Sequence, residues 1–390
     1  MSNTDNFEKF KYFKMDSLRL GKLAKTKKNL SQKGLNLEEE KWVLLEKIHG
    51  SNSCFIYQYQ DEEPNYQLGR RNGLVPKKEL RSFYNIETAY QPWVEQLKNM
   101  CEAACYEMGF DPRHHQVVVY SELYGANIQK GMRYHDQESI LVFDIRVDDT
   151  FLCYDKMRQL CQDYGIPSTP LIAEGTLDEL VESFRDKLEG FTSQVPQKIH
   201  QQETNDAPAE GVILRPIMIN ETYDPFYKSS YMLRYKWKKT EFTEHPQKKE
   251  IPREQMTRPE YLLVQATEFL NAPRLATYQS KVGVDYLLDM NNMGANIRAL
   301  VQDTLVDIKE EDEYQFIFEE KKLQSELQKM LSRKSSSMIQ KFQFDYIPSE
   351  LSEMEKLDKI DSSIQTADKN IQEIRKKVEE LKRRTIFLSK

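Results

Sequence analysis

"KWVLLEKIHGSN", residues 41–52, is an apolar run of strand length that ends on Lys47 and turns at once through His49 and Gly50. Trp42, Val43, Leu44 and Leu45 are the aromatic, β-branched and aliphatic types that suit a buried strand. A lysine at the end of such a strand is either a solvated charge or the nucleophile around which a site is organised. The rest of the chain decides between the two.

Further runs of the same character follow at 53–60 (SCFIYQYQ), 115–125 (HQVVVYSELYG), 139–147 (SILVFDIRV) and 210–218 (EGVILRPIM). Between them lie two stretches with helical spacing, 91–109 and 176–189. The second opens on Thr176 with Glu179 three positions on, a capping box. Strands clustered with a few helices predict an α+β domain of antiparallel sheets over residues 1–240. The proline- and charge-rich segment 241–260 reads as a linker. From 261 to 340 the apolar spacing becomes helical, which predicts a smaller all-α domain. Over 341–390 the chain is again helical in pattern. Ile360, Ile364, Ala367, Ile371, Ile374, Val378 and Leu381 recur at four- and three-residue steps, a heptad seam of roughly three repeats. That tail, 357–385, is a candidate arm for self-association or a protein partner, or a long helix folded back on the α domain.

No apolar stretch approaches the ~18 residues a membrane helix needs. The first residues carry Asp5, Glu8 and Asp16 and no apolar core, unlike a secretory signal or an Arg-rich presequence. The five cysteines, an odd number in a long chain, indicate reduced thiols in an intracellular compartment, cytoplasmic by default. Cys101 and Cys105 with His114 and His115 resemble half a zinc site, but no second ligand pair completes it, so buried thiols and surface imidazoles are the expectation. The net charge of −6 does not advertise a polyanion partner. Basic residues nevertheless cluster at 14–28, 69–78 and 233–239, and local fields bind phosphates on an acidic protein.

A lysine amine can attack the α-phosphorus of a nucleoside triphosphate and form a phosphoramidate. That chemistry needs companions at other strand ends: a nucleoside contact, cations on the phosphates and a carboxylate for a divalent metal. Glu122 ends the strand VVVYSELYG, where a carboxylate suits a ribose hydroxyl. Phe143 offers a face to a purine, with Asp144 beside it. Glu210 precedes a strand and suits Mg²⁺. Lys236 and Lys238, two apart, share one strand face where both can reach a phosphate. Any one of these side chains alone is ordinary; the ordered set points to nucleotidyl transfer.

With those residues in place the chain resembles the RNA ligase 2 family, the phage and kinetoplastid-editing type of ATP-dependent RNA ligase within the covalent nucleotidyltransferases. The carrying elements are E-K-I-H-G-S-N (46–52), R-R-N-G (70–73), S-E-L-Y-G (121–125), V-F-D-I (142–145), E-G-V-I-L-R-P (210–216) and K-W-K (236–238). His49 stands where DNA ligases and capping enzymes usually have Asp. The resemblance spans roughly residues 8–335, including "FLNAPRLATYQSKVG" (269–283), and excludes the heptad tail.

The resemblance implies an adenylyltransferase (ATP-grasp-like) domain in which Lys47 carries AMP, Glu46 flanks the adenine and His49 assists transfer to an RNA 5′-phosphate. It implies that Asn52 and Arg71 contact the reacting groups, with Arg70 as the alternative arginine. Glu122 would hold the ribose, Phe143 stack on the base, Asp144 support the site, Glu210 bind Mg²⁺ or Mn²⁺, and Lys236 and Lys238 take the AMP phosphate. Ser51 replaces a frequent Thr and keeps the hydroxyl. ATP is the expected co-substrate, and RNA with 3′-hydroxyl and 5′-phosphate ends, nicked in a duplex, the expected partner. Lys248, Lys249, Arg253 and Arg274 are candidates for a basic RNA-facing surface. The alternatives are a DNA ligase, a GTP-dependent capping enzyme, and an inactive scaffold of the same fold. The first two carry a strand-rich module after the last lysine motif.

Overall fold

The computed structural model describes residues 12–346 apart from 14, 33–35, 37, 72, 126–127, 130–131, 203–206, 220, 223–232 and 245–256. The heptad segment 357–385 and the candidate cations Lys248, Lys249 and Arg253 lie outside the described residues, as does most of the expected linker. The chain divides into two compact units, Met1–Ser336 and Ser337–Lys390. The site described below belongs entirely to the first.

In chain order the strands are β1 (Asp16–Ser17), β2 (Trp42–Lys47), β3 (Ser51–Gln60), β4 (Glu63–Arg70), β5 (Gly73–Leu74), β6 (Val117–Tyr124), β7 (Ser139–Val147), β8 (Thr150–Phe151), β9 (Leu171–Gly175), β10 (Gly211–Pro216), β11 (Glu221–Thr222) and β12 (Tyr235–Lys238). They form two sheets. The first has the order β1-β12-β10-β2-β9, the second β11-β8-β7-β6-β3-β4-β5. Apart from the parallel β1–β12 pair, the neighbouring strands are antiparallel. All five strands expected from hydrophobic pattern form.

Alternation along the first sheet separates a core face from a site face. Trp42, Leu44, Val212, Leu214, Tyr235 and Trp237 pack with Leu177, Leu180, Val181 and Phe184 of the helix Leu177–Phe184. That helix starts with the expected capping box, Thr176 accepting from the Glu179 backbone and Glu179 from the Thr176 backbone. The intervening residues Leu45, Lys47, Ile213, Arg215, Lys236 and Lys238 turn to the other side, toward a cavity.

The second sheet is covered by the helix Val94–Glu107, whose Leu97, Met100, Cys101, Ala104 and Cys105 are buried at the spacing of one helical stripe. All five thiols are free and buried. The chain passes from β2 in one sheet to β3 in the other through only Ile48, His49 and Gly50. This corner is therefore where the two sheets meet.

Three elements carry little pattern in the sequence. Strand β4 is polar and exposed over its first half, with Pro64 near its start, because β5 beside it is too short to cover it. Strand β9 is only half buried, and the helix Tyr154–Asp163 buries a narrow stripe.

From 257 to 346 the described residues hold no strand; helices follow one another at Arg258–Thr267, Ala272–Val282, Val284–Leu288, Met293–Lys309, Gln315–Glu319 and Lys321–Asp345. Thr257 and Glu260 form a second capping box, and Asn271 caps the helix Ala272–Val282 by accepting from the Arg274 backbone. No described helix is long and apolar enough to cross a membrane.

Candidate active site

Register explains how the motif lysines converge. Gly211 of β10 lies opposite Lys47 of β2 on one side and Lys238 of β12 on the other. Two lysines thus flank a position with no side chain, and the carboxylate of the preceding residue, Glu210, fills the gap. Glu210 Oε2 accepts from Lys47 Nζ at 2.7 Å and lies 3.1 Å from His49 Nδ1; its Oε1 pairs with Lys238 Nζ at 2.8 Å. Gly211 has φ +155°, and a Cβ there would meet the Trp237 carbonyl oxygen at 2.2 Å. Only glycine lets β10 and β12 approach this closely.

Gly50 is needed for a similar reason. The expectation from sequence was a tight turn, but Gly50 is not among the residues of positive φ. Instead a Cβ would sit 2.3 Å from the Leu123 carbonyl oxygen. The Gly50 amide donates to Glu122 Oε1 at 3.0 Å, which pins the corner after Lys47 to the end of β6.

The charges are interlocked. Burial by itself would raise the Glu210 carboxyl; Lys238, Lys47 and His49 outweigh it and hold the group well below the usual range. Burial would strip the proton from Lys238, but Glu210 and Glu244 raise it above its ordinary value. Lys238 lies 3.3 Å from Glu244 Oε1. Glu244, resisting burial, is held low by Lys238, Lys236, Arg274 and Lys281. Lys236 differs: burial, then Lys238, push it down to about 7. Burial also raises the Glu122 carboxyl to about 7, against the pull of Lys47.

These groups line one cavity with about 1070 Å³ of empty space, its open mouth included. Glu46, Lys47, His49, Asn52, Arg71, Glu122, Phe143, Glu210, Lys236 and Lys238, ten of the eleven residues singled out from sequence, are on its wall. Phe143 gets there through a β-bulge. Tyr120 pairs with Asp144 and Ser121 with Val142, so Phe143 is the extra residue of β7. It stays half-buried, edge-on to Tyr12 at 5.1 Å between centroids.

Three buried atoms of wall residues have no hydrogen-bond partner among the described residues: Glu46 Oε1, Thr169 Oγ1 and Arg215 Nε. Glu46 Oε2 accepts from the Gln194 backbone at 2.7 Å, and burial pushes the carboxyl up to about 7. Buried polar atoms without partners are uncommon. On a cavity wall they are hydrogen-bonding positions for a ligand.

Asp144 is the exception. It does not reach the cavity but lies behind it, 1 % exposed. Its Oδ1 accepts from Arg215 Nη1 at 2.8 Å, and its Oδ2 from Arg234 Nη1 at 2.6 Å and Tyr12 Oη at 2.5 Å. Arg215 and Tyr12 are cavity residues, so Asp144 positions the wall and touches nothing inside it. Arg70 also lies off the cavity: it pairs with Glu79 at 3.0 Å and stands over the Phe83 ring. Arg71 is the arginine on the wall.

Arg274 corrects the expectation of a basic surface. It is 1 % exposed and bonded to Asp303 and Asp307, with Glu244 Oε2 at 3.7 Å. The helical spacing hid this, since both acids come from the helix Met293–Lys309. Sequence inspection also missed Tyr12, Thr169, Arg215, Glu244 and Lys281. Arg215 was legible as part of E-G-V-I-L-R-P and Lys281 as part of segment 269–283; the others come from segments with no motif of their own.

A family model described as RNA ligase matches residues 40–238, just over half of the chain. Similar solved structures include Naegleria gruberi RNA ligase as a lysine-to-methionine mutant with AMP and Mn. There the identity is 12 %, the TM-score 0.41, and the match covers 60 % of this chain and 57 % of that one. An arginine-to-alanine mutant of the same ligase with ATP and Mn matches at 14 % identity and a TM-score of 0.39, again covering 60 % and 57 %. The chain thus spans 57 % of the length of these ligases.

Proposed function

Since the chain belongs to the RNA ligase family, we propose that it is an ATP-dependent ligase that joins 3′-hydroxyl and 5′-phosphate ends of RNA, with nicks in a duplex as its substrate. Segment 1–240 carries out nucleotidyl transfer, and the helical segment 261–340 assists it. The observation that carries this assignment is one buried carboxylate, Glu210, shared by Lys47, His49 and Lys238 on the wall of a cavity that Tyr12, Phe13 and Phe143 also line.

Lys47 Nζ, as the neutral amine, attacks the α-phosphorus of ATP; a P–N bond forms and the P–O bond to pyrophosphate breaks. An oxygen of the RNA 5′-phosphate then attacks that phosphorus and Lys47 leaves, with His49 assisting. Finally the 3′-hydroxyl attacks the RNA phosphorus and AMP leaves. The protein contributes position and charge neutralisation, because the developing charge sits on phosphate oxygens. Lys236 and Lys238 supply cations at the α-phosphate, Arg71 and Asn52 meet the RNA ends, Glu122 takes the ribose and Phe143 stacks on the base. Glu46 Oε1 has no partner among the described residues, and the ionised carboxylate is an acceptor suited to the exocyclic amine of adenine.

A divalent metal fits the site in one way. Among the described residues no three His, Cys, Asp or Glu side chains converge as a cage. Mg²⁺ commonly binds through one carboxylate, substrate phosphates and water, and Glu210, ionised and on the wall, would hold it. When bound, Mg²⁺ or Mn²⁺ would neutralise phosphate charge.

The test is labelling with α-³²P-ATP followed by sealing of nicked duplex RNA, nicked DNA and single-stranded RNA, each with ATP or GTP. Wild type should take label, Lys47→Ala should not, and RNA nicks should be sealed with ATP. Sealing confined to DNA, or use of GTP alone, would move the protein to the alternatives named from sequence.

A further inference from the structure

One wall of the cavity comes from outside the six strand-end elements, from segment 269–283. The helix Ala272–Val282 contributes Thr277, Ser280 and Lys281 to it. The same helix is tied to the catalytic segment at three points: Ser51 Oγ donates to the Ser280 carbonyl, Tyr84 Oη to Gln279 O at 3.4 Å, and Gln129 Nε2 to Ala276 O at 3.3 Å. Lys281 is thereby held at the cavity by the fold rather than by a strong ion pair. Its nearest acid is Asp303 Oδ1 at 3.5 Å, and Asp303 is already bonded to Arg274. The side chain is 18 % exposed.

Arg71 is the cation that weighs most on Lys281. Among the described residues Arg71 makes no hydrogen bond or ion pair. Burial, then Arg71, lower the Lys281 pKa against the pull of Asp303 and Glu244, and both side chains line the same cavity, a setting that favours an anion between them.

We propose that Lys281 and Arg71 form a phosphate subsite, with Lys281 supplied by the helical segment, for the phosphate group that stands in line with Lys47 across the α-phosphorus. This rests on the ligase assignment above. In-line displacement puts the entering and leaving groups on opposite sides of phosphorus. In the first step Lys47 enters and pyrophosphate leaves on the far side. In the second Lys47 leaves, so the RNA 5′-phosphate enters from that same far side. One pair of cations, separate from Lys47, Lys236 and Lys238, serves both groups. The helical segment then takes part in nucleotidyl transfer itself.

Three single-turnover reactions test this in the full chain: labelling of Lys47 by ATP, transfer of AMP from the labelled protein to 5′-phosphorylated RNA, and sealing of a nick whose 5′ end already carries AMP. The third has no free 5′-phosphate and releases no pyrophosphate. Lys281→Ala and Lys281→Met should slow the first, the second or both by about 10- to 100-fold, the loss of one charge-assisted hydrogen bond. Both variants should slow the third less than the reaction they slow most, because its 5′-phosphate is already anchored through AMP, and Lys281→Arg should recover most of the loss. Slowing of the first alone assigns the subsite to pyrophosphate, of the second alone to the 5′-phosphate, and of both to the two in turn. Equal slowing of all three reactions, or of none, overturns the subsite. A wild-type chain that takes no label overturns the ligase assignment, and the subsite with it.

Discussion

Lys47 and Glu210, 163 residues apart in the chain, are joined at 2.7 Å beside the glycine that separates β2 from β12. The same carboxylate faces His49 and Lys238, so three cationic or cationisable groups depend on one buried acid. Removing one partner of a buried pair leaves the others uncompensated and costs roughly 3–5 kcal/mol. Glu210→Ala should therefore lower thermal stability by several degrees and abolish ATP labelling. Glu210→Gln, which keeps the volume, should also lose labelling. A Glu210→Gln protein that labels at the wild-type rate would remove Glu210 from the site's chemistry.

The Glu122 carboxyl makes stability depend on pH in an unusual direction. Unfolded, it ionises near 4.5; in the fold, burial holds it up to about 7. The unfolded chain gives up this proton first, so the group's contribution falls as pH rises from about 4.5 to about 7 and stays unfavourable above that. Glu122→Gln should stabilise the protein by about 1–2 kcal/mol at pH 8, and the gain should vanish near pH 4.5. Thermal melts of both proteins across that range measure it. At the same time the variant should lose ATP affinity, because it lacks the carboxylate proposed to hold the ribose.

Gly50→Ala and Gly211→Ala each drive a methyl group into a backbone carbonyl, at 2.3 and 2.2 Å respectively. Gly211 also has φ +155°, so the alanine there adds backbone strain. Both should destabilise by about 2 kcal/mol or more, Gly211→Ala the more severely. Chemical denaturation gives the ranking. The opposite order would show that β10 and β12 separate more easily than the Lys47 corner and β6.

Asp144 and Arg215 form a buried pair behind the cavity wall, with Arg234 on the second oxygen. Asp144→Asn should cost roughly 3–5 kcal/mol of stability. Well below its melting temperature, the folded protein should keep ATP labelling within about tenfold of wild type, since the side chain meets no ligand. A folded Asp144→Asn protein with no labelling at all would argue for a direct part in the chemistry.

The two adjacent arginines should separate cleanly. Arg71→Ala should reduce RNA sealing by about 100-fold. Arg70→Ala breaks a partly exposed pair with Glu79 and a contact over the Phe83 ring, each worth about 1 kcal/mol or less, and should seal normally. Parallel sealing assays on nicked duplex RNA decide the matter.

The wall of the cavity was largely legible in sequence because its residues sit at strand ends, where periodicity locates them and the chemistry of phosphate transfer names their types. Lys47, Glu122, Glu210, Lys236 and Lys238 could be found that way. Asp144 looked similar in the same motif, but the bulge at Phe143 brings both neighbours against Tyr12, where Arg215 and Arg234 take up the carboxylate, and bulges leave no mark in hydrophobic alternation. Arg274 read as a surface cation because its acids lie about thirty residues on, in another helix.

By itself, then, the order of residues determined the elements and the chemical types brought to the site, since strand alternation, helix caps and motif spacing are local properties of the chain. Only the tertiary structure decided which charges share a partner. Glu210 serving Lys47, His49 and Lys238, Glu244 bracing Lys238, and Lys281 reaching the cavity that Arg71 lines all depend on contacts between distant segments. Such contacts are set by sheet register and helix docking, which no local pattern encodes.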